Sequence, residues 1–480
     1  FTVNQKEEDW KDSTGSGGTA ARVSISGDGR FTLVGAAGND DKVILFDYDE
    51  EDDDVWTYTV GADVNYVAMS KDGKYFAFTT NCCSASTEYR LFVYRTNATE
   101  NEVNPVKLWE FDEDTCISDL AISADGGAVT IVSSCSDWAR AFSIDSNTPI
   151  WQVSLDNPFK VDISADGQSI VVGTSNDDNS KVYLYHVEST TPLWVYDDVS
   201  NSIRTVAISA NGEFIAAGED CCEQPYRRGH VFHRSSNEPI YVTNDLNYRP
   251  TAFEFSDDGK YLLMSSHHRI HYYSVSVSGL TELWSVYNNR DDLEYYDTDV
   301  SADGSYVAVI RQDGDETYGR GLLFFGKESN IPLWTHNEQP DRTWWSTSIS
   351  DSGRIIAAGT DYTSKNIHMY SWEYAPPNFL FPVSPADNSL VTRNVTIHWA
   401  VDGEDAIDWT YDIYLSTNSS LPTALATNLS DRNYKAVNLT SGATYYWKVV
   451  TKDGDATVLT SAVSQFKVQA ATSVTLETPF

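Results

Sequence analysis

This sequence predicts an all-β fold: an eight-bladed ring of repeated sheets, closed by an N-terminal strand and followed by a β-sandwich. Three observations carry that prediction. A Ser-x-[Asp/Asn/Ser]-Gly element recurs eight times, alternating apolar strands surround each copy, and the pattern changes after a proline-rich junction near residue 375.

The copies begin at Ser26, Ser70, Ser123, Ser164, Ser209, Ser256, Ser301 and Ser350, and successive turn glycines lie 41 to 53 residues apart. Self-similarity at that period marks a repeat architecture. In each unit a strand such as TVAIS leads into the turn, strands such as EFIAAG and KVYLYHV follow, and a last strand opens on TPLW or TPIW. Asp-Gly or Asn-Gly offers the positive backbone angles of a tight two-residue hairpin turn. Four antiparallel strands in about 45 residues make one propeller blade. Faces of such small sheets must bury each other. The fourth-strand residues Trp56, Trp109, Trp151, Trp194, Trp284 and Trp334 are therefore expected in the core between blades.

The eighth unit runs through its third strand, NIHMYSWEY, and then meets APP with no fourth strand of its own. From each fourth-strand Trp to the next turn serine is 13 to 17 residues, and from Trp10 to Ser26 it is 16. Trp10 therefore fits the vacancy, and the N-terminal segment EEDWKDS is expected to close the ring and remove two open sheet edges. The organisation expected is an N-terminal tail over 1–6, the ring over 7–374, a second domain over 375–470 and a C-terminal tail over 471–480.

Units reading ISADG…VVGTSNDDNSKVYLYHVESTTPLWVY resemble the PQQ-like or WD40-like β-propeller repeats found in many secreted and surface proteins of archaea and bacteria. That resemblance spans roughly residues 7 to 374. It implies a propeller fold and leaves function open.

After YAPPNFLFPVSP, the strands NVTIHWAV, WTYDIYLST and ATYYWKVVTKD are separated by Asn, Ser and Gly turns, as in an Ig-like β-sandwich with Trp399 as a core centre. In LTSGATY, Leu439 stands six residues before Tyr445, a spacing similar to that of fibronectin type III domains, where the tyrosine hydroxyl pins a corner. Such modules space, display or bind.

Six cysteines are present: Cys82, Cys83, Cys116, Cys135, Cys221 and Cys222. Cys82, Cys135 and Cys221 each fall nine residues after a turn glycine, just past a second strand. A hairpin centred on Asp125-Gly126 brings Cys116 opposite Cys135, close enough to bridge. The adjacent pairs could form vicinal disulfides or bridge to one another, and structural disulfides favour an oxidising compartment. Glycosylation sequons stand at Asn97, Asn394, Asn418, Asn428 and Asn438, four of them in the second domain. In HHRIH, residues His267, His268 and His271 are expected in a polar loop, because strand geometry would put 268 and 271 on opposite faces.

The formal charge is −37, with 60 acidic against 27 basic residues before position 375. Such a surface repels phosphate backbones, so nucleic acid is not an expected partner. No apolar run is long enough to span a bilayer. The run DEEDDD over Asp49–Asp54 reads as a solvated loop, and no cofactor is expected; Ca²⁺ stays open with no ligand set to assign. The first residue is Phe1, from which removal of a secretory signal and a cell-surface location are expected.

Blade number and vicinal cysteines also resemble the quinoprotein alcohol dehydrogenases, but the Asp-x-x-Thr-Gly-x-x-x-Trp docking motif of that family is missing: the segments here read ESTTPLW and DSNTPIW. Nucleophile-elbow, zinc-helix and phosphate-loop motifs are absent as well, so catalysis is not expected. Two functions remain. One is a structural subunit of a surface assembly, a homo-oligomer or polymer joined through its terminal segments; the other is an adhesin or receptor holding glycan or protein on the loop face.

Overall fold

The computed structural model describes residues 10–13, 18–38, 41–48, 54–81, 89–98, 102–113, 115–176, 179–199, 201–220, 227–243, 246, 248–288, 293–313, 320–338, 342–362, 366–371, 380–385, 389–401, 409–421, 423–429, 433–453, 456–461 and 463–470. The chain forms two compact units, Phe1–Trp372 and Glu373–Phe480. Among the described residues the first unit holds eight four-stranded antiparallel sheets and no helix.

In seven of these sheets the strands follow chain order, and their first strands are Gly18–Ile25, Asp63–Met69, Asp119–Ile122, Pro158–Ile163, Ser202–Ile208, Pro250–Phe255 and Leu293–Val300. The eighth begins with Arg342–Ile349, and its fourth strand is Trp10–Ser13, which runs antiparallel to Asn366–Ser371 with Trp10 opposite Met369. Each first strand abuts those of its two neighbouring sheets, the last lying against the first. The architecture is propeller-like, with the first strands innermost.

The Ser-x-Asp-Gly turn works through its side chains. In unit 3 the Ser123 hydroxyl donates to Asp125 Oδ1 at 2.6 Å and accepts the Ala128 N–H at 3.0 Å, while Asp125 Oδ1 accepts the Gly127 N–H at 2.8 Å. Gly126 has φ +70°, where an L side chain is strained, and a Cβ there would also strike the Tyr75 ring. The serine N–H bonds to the carbonyl of the residue five later (Ser123 to Ala128, 2.9 Å), so the loop has four residues, correcting the two-residue turn expected above. Only the glycine needs a positive φ, because the aspartate side chain caps the loop's amides and stays in an ordinary conformation.

The core lies between sheets, as the apolar faces demand. Val161, Ile163 and Ile170 of unit 4 pack on Val132, Ala139 and Trp151 of unit 3. At the closing seam Val23, Ile25 and Val34 meet Ile355, Ala357 and Ile367. The fourth-strand tryptophans add a recurrent tie across seams: Trp109, Trp151, Trp194 and Trp284 donate their indole N–H to the carbonyls of Ile144, Ser189, Arg234 and Lys327, each in the following unit, at 2.7–3.0 Å. Each tie satisfies the one polar atom of a largely buried ring.

In the second unit, one sheet orders Leu380–Ser384, Val395–Val401 and Asn433–Ala436. The other holds Ser389–Val391, Ser464–Val468, Thr444–Asp453, Trp409–Ser416 and Ala426–Leu429, with Ala456–Thr460 paired to Thr444–Asp453. Ile397, Trp399, Tyr411, Leu439, Trp447 and Phe466 share its core. The Tyr445 hydroxyl accepts the Thr440 N–H at 3.1 Å, tying down the loop before its own strand.

Candidate functional site

The ring has two chemically different ends. At one end lie the eight turns, whose second residues are joined by backbone hydrogen bonds: Gly27 to Lys71, Lys71 to Ala124, Ala165 to Ala210, Ala302 to Asp351 and Asp351 back to Gly27, at 2.7–3.0 Å. Lys71 Nζ reaches Asp351 Oδ1 at 2.9 Å and Asp257 Oδ1 at 3.7 Å, tying units 2, 6 and 8 across this rim. Burial opposes the charge on Lys71, but Asp257, Asp299 and Asp351 outweigh it and push the ammonium pKa up. Gly27 has no room for a Cβ, which would run into the Asp351 carboxylate.

Inward-facing side chains of the first strands continue this self-satisfaction. Innermost strands have an edge with no ladder partner, and its N–H groups need acceptors. Asp162 accepts from Ile208 N–H at 2.9 Å, Asp297 from Thr347 at 2.9 Å and Asp299 from Ile349 at 2.8 Å; Ser346 and Ser348 serve Val23 and Ile25 in the same way at 3.3 and 3.2 Å. Each bond crosses a seam from one unit to the next. Burial pushes Asp162 up to about 7 and Asp297 up to about 6 and raises Asp299 against the pull of Lys71; burial, with Asp299, Asp162 and Asp297 adding, holds Glu254 well above its usual value.

At the opposite end, where first strands begin, seven of the eight carry a β-bulge. Each falls at or spans the fifth residue before the turn serine: 21, Asn65, Phe159, Arg204, Thr251, Tyr296 and Trp345. A bulge re-aims a side chain out of the regular pleat. The result is a mouth of unlike groups on a regular ring. Phe159 has the Arg204 guanidinium 5.4 Å and the Lys160 ammonium 5.7 Å from its ring centroid. Lys160 Nζ also lies 3.4 Å from Asp119 Oδ1 and 5.7 Å from the Tyr66 centroid. Across the mouth Tyr296 meets Trp345 edge-on at 5.6 Å and stacks with His267 at 5.9 Å.

The mouth was missed in the sequence because its residue types share nothing. Only their register, five positions before a repeated serine, marks them. Of the residues singled out from sequence, Cys116 and Cys135 have sulfurs 2.02 Å apart and lie at this same end. Cys82, Cys83, Cys221 and Cys222, the acidic run 49–53 and both terminal segments lie outside the described residues. Asn97, Asn394, Asn418, Asn428 and Asn438 are all exposed. His267 and His268 lie in the turn between Tyr261–Ser266 and Arg269–Ser276, in keeping with the loop expected, whereas His271 is on the second of these strands; His268 and His271 are 3% and 2% exposed, more buried than a polar loop implies. His268 stacks flat on Tyr248 at 3.6 Å, and His271 Nδ1 lies 2.9 Å from Glu282. No group of three or more His, Cys, Asp or Glu suited to a metal occurs among the described residues, and no described helix is long and apolar enough to cross a membrane.

No protein-family model and no curated protein sequence matches the chain. Among solved structures it is similar to Sqt1 of Chaetomium thermophilum bound to the N-terminus of the ribosomal protein L10, at 13% identity and a TM-score of 0.61, covering 76% of this chain and 100% of that one. A second match is the Cps50 (Swd1) β-propeller domain of Myceliophteria thermophila, at 11% identity and a TM-score of 0.48, covering 65% and 97%. The first unit is thus WD40-like in fold. Sqt1 is an intracellular WD40 protein, and this overturns the secreted, cell-surface location expected from the sequence; no location replaces it.

Proposed function

We propose that this chain is a non-catalytic, protein-binding propeller of eight WD40-like blades joined to a fibronectin type III-like module, and that its mouth holds a segment of a partner protein. One observation carries this reading: the bulges turn Phe159, Arg204, Tyr296 and Trp345 out of the ladder at one end of an otherwise self-satisfied ring. Aromatic and arginine side chains dominate the energetics of protein interfaces. The Sqt1 structure, a propeller holding a protein N-terminus, agrees with the same mode of use. Assembly through the terminal segments concerns residues outside the described ones, and the mouth reading is preferred to it because its own residues are described.

The test compares two triple alanine variants: Phe159, Tyr296 and Trp345 at the mouth, and Lys71, Asp257 and Asp351 at the turn rim. Affinity capture from the source cell, quantified by mass spectrometry, should lose its enriched partner with the mouth variant and keep it with the rim variant, both checked for cooperative melting. Partners lost from the rim variant alone would refute the reading.

A further inference from the structure

Arg204, Arg227 and Arg249 gather on the single carboxylate of Asp220, with Nε distances of 3.5, 3.3 and 3.9 Å. One carboxylate cannot balance both Arg204 and Arg249, and Arg227, which has a further contact of its own, draws on it as well. Arg204 comes from a bulge, and Arg249 stands just before the next first strand, Pro250–Phe255. Among the described residues neither has a second acidic partner, and Arg204 Nε is buried without a hydrogen bond. The Arg249 side chain is half exposed. Such a gathering is unusual in a chain with a net charge of −37.

Among the described acids nearby, Asp119 holds Lys160 and Glu219 holds Arg228 and His230, while Glu294 lies 3.2 Å from His267 Nδ1. Arg204 also lies beside the Phe159 ring, so the cationic spot borders an aromatic floor.

Resting on the mouth reading above, we infer that this arc between units 4 and 6 is an anion seat, in which Arg204 and Arg249 take a carboxylate of an acidic peptide segment whose neighbouring apolar side chain lies on Phe159. Arginine suits the task because its fork pairs with a carboxylate through two parallel hydrogen bonds. An extended segment with one or two acids meets this spot alone. A long polyanion would also meet the acidic remainder of the ring and be repelled.

Fluorescence anisotropy tests the seat on the full chain, with a labelled peptide of alternating Phe and Glu, its Phe/Gln and Phe/Lys counterparts, and single-stranded DNA of similar length. The Glu peptide should bind about tenfold more tightly than the Gln peptide, and Arg204→Gln and Arg249→Gln should each remove about that factor. Lys74→Gln, at the turn end, should change nothing. Equal binding of the Glu and Gln peptides overturns the anion seat while leaving the mouth as a peptide site, and a preference for the Lys peptide or for DNA overturns it outright. Binding of none of the probes overturns the seat; the mouth reading is then judged by the capture experiment.

Discussion

The turn end and the mouth of the ring are built from the same eight strands yet obey different rules. At the turn end each unit repeats the same serine and glycine, with an aspartate between them in six of the eight and Asn211 or Ser352 in the others, and unit is tied to unit by backbone hydrogen bonds and by Lys71 on Asp257 and Asp351. At the mouth the bulged position changes identity from unit to unit, from Asn65 to Phe159 to Arg204 to Trp345. A position fixed in space and free in chemistry can be fitted to a partner without disturbing the ring. On the reading proposed above, the turn end is scaffold and the mouth is where a partner is met.

The comparison breaks most severely if the ring opens. Deleting Phe1–Ser13 removes the fourth strand of the last sheet and exposes the edge at Asn366–Ser371. Calorimetry should then show a fall in Tm of more than about 10 °C or loss of a single cooperative transition, since several kcal/mol of packing goes with the strand. A normal melt would mean that the ring does not depend on that strand.

Next in size is a turn glycine. Gly304 has φ +70°, and a Cβ there would strike Tyr261 and the Tyr272 hydroxyl. Gly304→Ala should cost about 1–3 kcal/mol in urea unfolding. An unchanged midpoint would show that the turn can refold around it.

The inward carboxylates give a pH test of the scaffold. Asp162 holds its proton to about 7 in the folded ring because it is buried, whereas the ordinary value is 3.8. Between those values the folded state binds more protons than the unfolded one, so this contribution to stability falls as pH rises from about 4 to about 7. A side-chain amide mimics the protonated acid and cannot ionise, so Asp162→Asn should flatten this part of the pH–stability curve by on the order of 2 kcal/mol. An unchanged slope would contradict the assignment. The smallest effect expected is that of Lys71→Met: the pair with Asp351 is about 35% and 41% exposed, so the loss should be under about 1 kcal/mol and should shrink in salt.

What could be read from sequence was whatever repeats. Ser123, Asp125 and Gly126 recur with fixed roles because every blade needs the same turn, and Trp109, Trp151, Trp194 and Trp284 recur because every seam needs the same filler and donor. Trp10 could be placed by arithmetic because its spacing to Ser26 matches that of the other units. The mouth repeats only in backbone geometry, and a bulge leaves no residue signature at Asn65, Phe159 or Thr251. The burial of His268 in its turn could not be read because its partner Tyr248 lies 20 residues away on a connection between sheets, where no strand period applies.

The most direct measurement of the central claim uses one photo-crosslinking residue at two positions. Placed at Asn65, a bulge at the mouth, it should capture the bound partner; placed at Ala210, in a turn at the other end, it should not. Equal capture at both, or capture only at Ala210, would contradict the division of the ring into a scaffold end and a binding end.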